Sequence, residues 1–156
     1  MDVNLLVQTI AIYALPVLFA ITLHEAAHGY VARYFGDMTA HAQGRISLNP
    51  VRHIDIVGTL VVPLPILLLS GGKFLFGWAK PVPVNFSALR KPRRHMAWVA
   101  AAGPLANLAM ALVWALLLKI STVLPGNAFF EAMSRAGIIV NLVFMFLNLL
   151  PILPLD

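Results

Sequence analysis

Residues 3–28 read VNLLVQTIAIYALPVLFAITLHEAAH: twenty-one uncharged residues from Val3 to Leu23, then His24-Glu25-Ala26-Ala27-His28. At 1.5 Å per residue the uncharged part alone reaches across the ~30 Å hydrocarbon core of a bilayer. The helical pattern runs on to about Tyr34, where Gly36-Asp37 stops it, and Pro16 is expected to kink it. This predicts a spanning helix over 3–34. Met1-Asp2 lacks a basic n-region and no small-residue cleavage site follows, so the segment is expected to be retained.

His24 and His28 are four residues apart, one helical turn, and share a face. Both imidazoles can therefore reach one metal ion, at about 2.0–2.1 Å for zinc. Glu25 lies on the adjacent side, placed to take a proton from water at that ion. An ionised Glu near hydrocarbon depth costs at least a few kcal/mol, which marks it as functional. The alternative is a polar interfacial flank after a helix ending at Leu23, and the spacing argues against it.

The whole chain carries the same membrane signature. Its 156 residues are 60% apolar and 11% charged, with a mean hydropathy of +0.86. Soluble domains average about 45–50% apolar and roughly 25% charged. A soluble globule, a disordered tail and a collagen-like chain are excluded. Eleven Lys and Arg against six Asp and Glu give +5. Most of that surplus lies in one loop, so it reads as a topology signal and not as a nucleic-acid surface. The absence of cysteine excludes disulfides, iron–sulfur clusters, Cys-ligated zinc and a cysteine nucleophile.

Three further apolar runs follow. Residues 56–70 are short and carry Gly58, Pro63 and Pro65, which fits a re-entrant or half-spanning segment. The loop 72–95 holds Lys73, Lys80, Arg90, Lys91, Arg93 and Arg94 with no acid, and is expected to face the cytoplasm. Residues 96–118 form an uncharged span rich in Ala, with Gly103-Pro104 expected to bend it. After a turn at Pro125-Gly126-Asn127 and Arg135 comes a span over 136–155. Gln43 to Leu48 reads as a short strand or hairpin arm. The expected class is an all-α polytopic membrane protein. It has a three-helix core, one short segment and a small β element, in a single domain over 1–156.

Two histidines leave a zinc site incomplete, because catalytic zinc takes three protein ligands and a water. His41, His53, His95 and Asp156 are the candidates. Asp156 ends the fourth run and is its only acid. Pro151 and Pro154, three apart, unwind the helix before it. Irregular backbone at membrane depth is tolerated where it lines a cavity or site.

These pieces, in this order, resemble the site-2 protease family of zinc intramembrane metalloproteases. His24-Glu25-Ala26-Ala27-His28 is similar to the family's His-Glu-x-x-His. Asn148, Pro151, Leu155 and Asp156 resemble its Asn-x-x-Pro-x-x-x-Leu-Asp pattern. Gly44 to Pro50 with His53-Ile54-Asp55, Gly77 to Asn85, and Ala102 to Asn107 resemble a bacterial branch. The resemblance implies one zinc ion per chain, held by His24, His28 and Asp156, with Glu25 as the catalytic base. It implies a transmembrane protein segment as substrate, in the bacterial cytoplasmic membrane. The family pattern runs on past the Asp with Gly and more chain, so the sequence reads as one cut short after its Leu-Asp pair.

Asn148 is a candidate for binding substrate backbone or the oxyanion, or for an interhelical hydrogen bond. Asn107 and Asn141 are expected to serve packing. His53 with Asp55 is read either as support for a ligating His or as an interfacial surface pair. His41 and His95 are expected at the surface, and Trp78 and Trp98 in an interfacial belt. An edge strand near Gly44 to Leu48 is expected to receive unwound substrate. If 56–70 dips in and returns, helix 1 and the last helix end on one face, where the basic loop also lies. The competing reading is a metal-binding membrane protein without protease activity, a transporter or an inactive scaffold, for which Glu25 has no use. A third is an assembly subunit built on the Ala-rich span.

Overall fold

A computed structural model describes residues 2–71, 77–124 and 126–150. Its bundle consists of α1 (Val3–Tyr34), the short apolar α2 (Ile56–Leu69), α3 (Pro92–Ser121) and α4 (Ala128–Leu149). The first, third and fourth are long and apolar enough to cross a membrane. Asp2 caps α1 by accepting the Asn4 N–H at 2.9 Å. In α2, wide π-type turns run to Val61 and an α-helix starts at Pro63. The fold is the expected all-α polytopic one.

Three expectations need correction. No strand forms over Gln43 to Leu48, nor anywhere among the described residues. The Arg45 guanidinium instead donates to the Lys80 and Pro81 carbonyls at 3.0 and 3.2 Å. A side chain thus does the tying that a backbone ladder would do. Helix α3 starts at Pro92, ahead of Met96, and runs past Leu118 to Ser121. Helix α4 starts at Ala128, not 136, because Glu131 and Arg135 pair at 2.7 Å one turn apart on its surface. Charge marks where a helix leaves hydrocarbon and does not end it. The last helical residue described is Leu149, and the expected stretch 151–156 lies outside the described residues.

Polarity is inverted relative to a soluble protein. Asn107, Asn141 and Ser134 have no exposed surface, whereas Leu5, Leu69, Leu112, Leu116 and Phe146 are each more than half exposed. An apolar exterior of this extent is tolerated in lipid, and buried amides and hydroxyls glue helices together there.

Side-chain contacts fix the register. His28 lies against Val99 and Ala20 against Asn107, so α1 and α3 are antiparallel. Asn107 meets Asn141, and a Cβ on Gly137 would overlap the Trp114 ring, so α3 and α4 are antiparallel too. Helices α1 and α4 therefore run in the same direction. The Arg90 N–H donates to the Phe35 carbonyl at 3.0 Å, and the His95 ring stacks on Phe35 at 4.0 Å. The chain that leaves α1 at Phe35 is thus back beside it at Arg90 and makes no net crossing. Helix α2 is about 21 Å long at 1.5 Å per residue, short of the ~30 Å core.

Residues 77–85 form a strap between α2 and α1. The N–H groups of Trp78, Lys80 and Val82 all point one way, to the Gly58 carbonyl (3.0 Å), the His53 carbonyl (2.9 Å) and the Glu25 carboxylate (2.8 Å). Such alternation is that of an extended chain.

The strap ends at a buried carboxylate. Asp37, just beyond α1, accepts the Thr39 N–H at 2.9 Å and the Asn85 N–H at 2.6 Å. Burial works to raise its pKa, but the hydrogen bonds from Thr39 and Asn85 outweigh it and hold the carboxyl below its ordinary 3.8. The stability it contributes is complete above that value and is lost as pH falls through the lower folded value. Asp37→Asn offers one acceptor to two donors. It is expected to cost about 1–3 kcal/mol at neutral pH. Melting in detergent should show the difference from the parent narrowing as pH drops below 3.8.

Candidate metal centre

The two histidines face inward from the C-terminal half of α1. Both are buried, with rings in a T-shaped arrangement 4.7 Å between centroids. His28 Nδ1 lies 2.7 Å from the Val99 carbonyl oxygen. A carbonyl only accepts, so Nδ1 carries the proton. His24 Nδ1 lies 2.6 Å from Asn107 Oδ1. The Asn107 amide is oriented because its Nδ2 donates to the Ala20 carbonyl (3.2 Å) and to Asn141 Oδ1 (3.0 Å). Its oxygen therefore faces His24, which again places the proton on Nδ1. The network thus assigns both tautomers.

With Nδ1 protonated on both rings, each Nε2 carries its ring's lone pair, and these two nitrogens are 3.1 Å apart. Two ligands at 2.0–2.1 Å around a tetrahedral zinc are separated by about 3.3 Å. Two imidazole lone pairs at this spacing are a donor set suited to one small cation. Helix α3 meets the pair at Gly103. A Cβ there would sit 2.5 Å from Nε2 of both histidines. The backbone of α3 thus comes as close as glycine allows and leaves room for a small ion. The residues present fit a metal.

Glu25, half-buried on the adjacent side of α1, is held by the Val82 N–H of the strap. No set of three His, Cys, Asp or Glu comes together among the described residues. Asp156, the expected third ligand, lies outside them, as do Pro151 and Leu155. The register bears on its path. Asn107 opposes Asn141, and stepping eight residues along each helix, about 12 Å, brings Val99 opposite Leu149. Helix α4 therefore ends at the depth of His28.

The remaining candidates separate. Asn148 donates to the Phe144 carbonyl one turn back in its own helix, at 2.9 Å. His53 is buried, not superficial, with Nε2 donating to the Ser47 carbonyl at 2.8 Å. Its expected partner Asp55 instead caps α2, accepting the Gly58 N–H at 2.7 Å. His41 is exposed, and His95 stacks on Phe35.

Sequence reasoning assigned Asn107 to packing and Gly103 to a bend, and both prove to touch the histidine pair. Their signal was spacing. Gly103-x-x-x-Asn107 repeats the one-turn interval of His24 and His28, so one face of α3 answers one face of α1. The strap's grip on Glu25 had no local signal.

A polytopic bundle with a paired-histidine centre beside a carboxylate defines a membrane protein of the His-Glu-x-x-His class. No protein-family model matches the chain, and no solved structure does. The chain is 42% identical over 142 residues to "Putative zinc metalloprotease YwhC" of Bacillus subtilis, covering 86% of this chain and 60% of that protein. It is 32% identical over 142 residues to "Putative zinc metalloprotease Rip2" of Mycolicibacterium smegmatis, and 35% over 141 residues to Rip2 of Mycobacterium tuberculosis. Each of those alignments takes 89% of this chain and 51% of the relative. The chain spans about half to three-fifths of the length of these relatives. It belongs to the site-2 protease family.

Replacing Asn107 by Leu removes the acceptor that sets the His24 tautomer, and is expected to lower zinc affinity about 10–100-fold. Gly103→Ala is expected to abolish uptake by filling the space between the rings. Zinc per purified chain and chelator competition measure both, with circular dichroism reporting retained helix.

Proposed function

We propose that the chain is the core of a zinc-dependent intramembrane endopeptidase. The observation that carries this reading is the pair of Nε2 atoms 3.1 Å apart with both Nδ1 protons committed elsewhere. His24 and His28 would hold the ion, with Asp156 as third ligand. When bound, zinc supplies Lewis acidity toward a water and the scissile carbonyl. Glu25 takes the proton of the attacking water and returns it to the departing amine. The Val82 N–H holds one carboxylate oxygen, which keeps Glu25 in place during that transfer. Asn148 is assigned to substrate backbone or to the developing oxyanion.

The substrate is a transmembrane segment of another protein. A helix has all its backbone groups paired, so it must unwind before its carbonyl is accessible. The setting is the bacterial cytoplasmic membrane with the loop 72–95 on the cytoplasmic side. The excess of Lys and Arg in that loop and the bacterial sources of the relatives support this.

The test is cleavage of a panel of single-span reporter proteins co-reconstituted in proteoliposomes. Glu25→Gln is expected to lower the rate about 10²–10⁴-fold while zinc stays bound. Zinc without any effect of Glu25→Gln would favour a metal-binding scaffold or transporter. A parent chain free of zinc would overturn the reading.

A further inference from the structure

The end of the bundle where α1 finishes and α3 begins carries five exposed cations: Arg33, Arg90, Lys91, Arg93 and Arg94. They are brought together by contacts already described, and Arg90 also donates to the Tyr34 carbonyl at 2.7 Å. The opposite end, with Asp2, Lys119, Glu131 and Arg135, sums to zero, and Glu131 and Arg135 pair with each other. At the basic end the nearby acid is Asp37. It is buried, and each of its oxygens is taken by a backbone N–H. Among the described residues, no carboxylate pairs with any of the five cations.

Below this rim the surface changes character within one turn. Trp98, four residues on from Arg94 and on the same face of α3, is 61% exposed. Tyr30 and Tyr34 flank Arg33 on α1 and are 49% and 75% exposed. Exposed Trp and Tyr sit at the head-group level of a bilayer. Arg94, one turn farther out than Trp98, and Arg33, between the two tyrosines, are then at the depth of lipid phosphates, which guanidinium groups bind bidentately.

We propose that this rim is a binding site for anionic phospholipids of the surrounding leaflet. Arg33, Arg90, Lys91, Arg93 and Arg94 take the head-group phosphates, and the acyl chains pass over Trp98. An acidic protein segment would match the charge but leave the aromatic skirt without an apolar neighbour. The site does not depend on the protease reading.

The test uses bromolipid quenching of Trp98. A Trp78→Phe background leaves Trp98 as the exposed tryptophan, since Trp114 is buried. The protein is reconstituted in phosphatidylcholine containing phosphatidylglycerol, with bromine on one lipid or the other. Phosphatidylglycerol is expected to associate about three- to tenfold in preference to phosphatidylcholine. Arg93→Gln with Arg94→Gln should bring that ratio close to one, and Arg93→Lys with Arg94→Lys should keep it. If the Gln pair fails to fold, added salt should reduce the preference of the parent. Equal quenching by both lipids in the parent overturns the proposal and leaves the rim to an acidic protein segment. A preference unchanged by salt or by the folded Gln pair overturns it as well.

Discussion

A ring nitrogen of His24 and the amide oxygen of Asn107, 2.6 Å apart in the interior of the bundle, set the terms for the rest of the structure. Lipid supplies no hydrophobic drive to pull helices together, so close packing and polar contacts must do it. The Asn107 amide reaches α1 through His24 and Ala20, and α4 through Asn141. Asn141 closes the chain on the Gly137 carbonyl of its own helix at 2.8 Å. One side chain of α3 thus joins all three long helices. The same contact decides which nitrogen of His24 carries the proton. Assembly of the bundle and preparation of the histidine pair are one event.

Close approach is the second requirement, and small residues meet it at two places. At Gly103 the backbone of α3 lies against both imidazoles, and at Gly137 that of α4 lies against the Trp114 ring. A ring on one helix faces a residue without a side chain on the next in both cases. Dispersion contacts of that kind replace hydrophobic burial as the source of packing energy in a bilayer.

Much of this was legible from the chain alone. The class, the long helices and the short apolar segment follow from runs of uncharged residues, because hydrocarbon thickness converts length directly into topology. The face shared by His24 and His28 follows from helical period. Helix ends were less legible. Runs without charge report depth in the bilayer, and α4 simply continues out of it through Glu131 and Arg135. The role of Val82 was not legible, since it depends on a partner about sixty residues away, and that of Asn107 showed only as a one-turn spacing whose partner lies about eighty residues away. The expected strand near Gly44 failed for a related reason. Local pattern offered extended backbone, but a ladder needs a neighbour, and the Arg45 side chain met it first.

The strap has a chemical asymmetry with its own consequence. Trp78, Lys80 and Val82 turn their N–H groups toward the protein, and Pro81 and Pro83, on either side of Val82, have none to offer. From Pro81 to Pro83 the outer margin therefore presents no donor, and the Pro81 carbonyl is already held by Arg45. An unfolded segment arriving from a neighbouring molecule cannot zip onto it, because a growing sheet needs both kinds of group at alternate steps. Proline makes that margin self-insulating, so an extended chain can cross a helix bundle in the open without becoming a seed for aggregation.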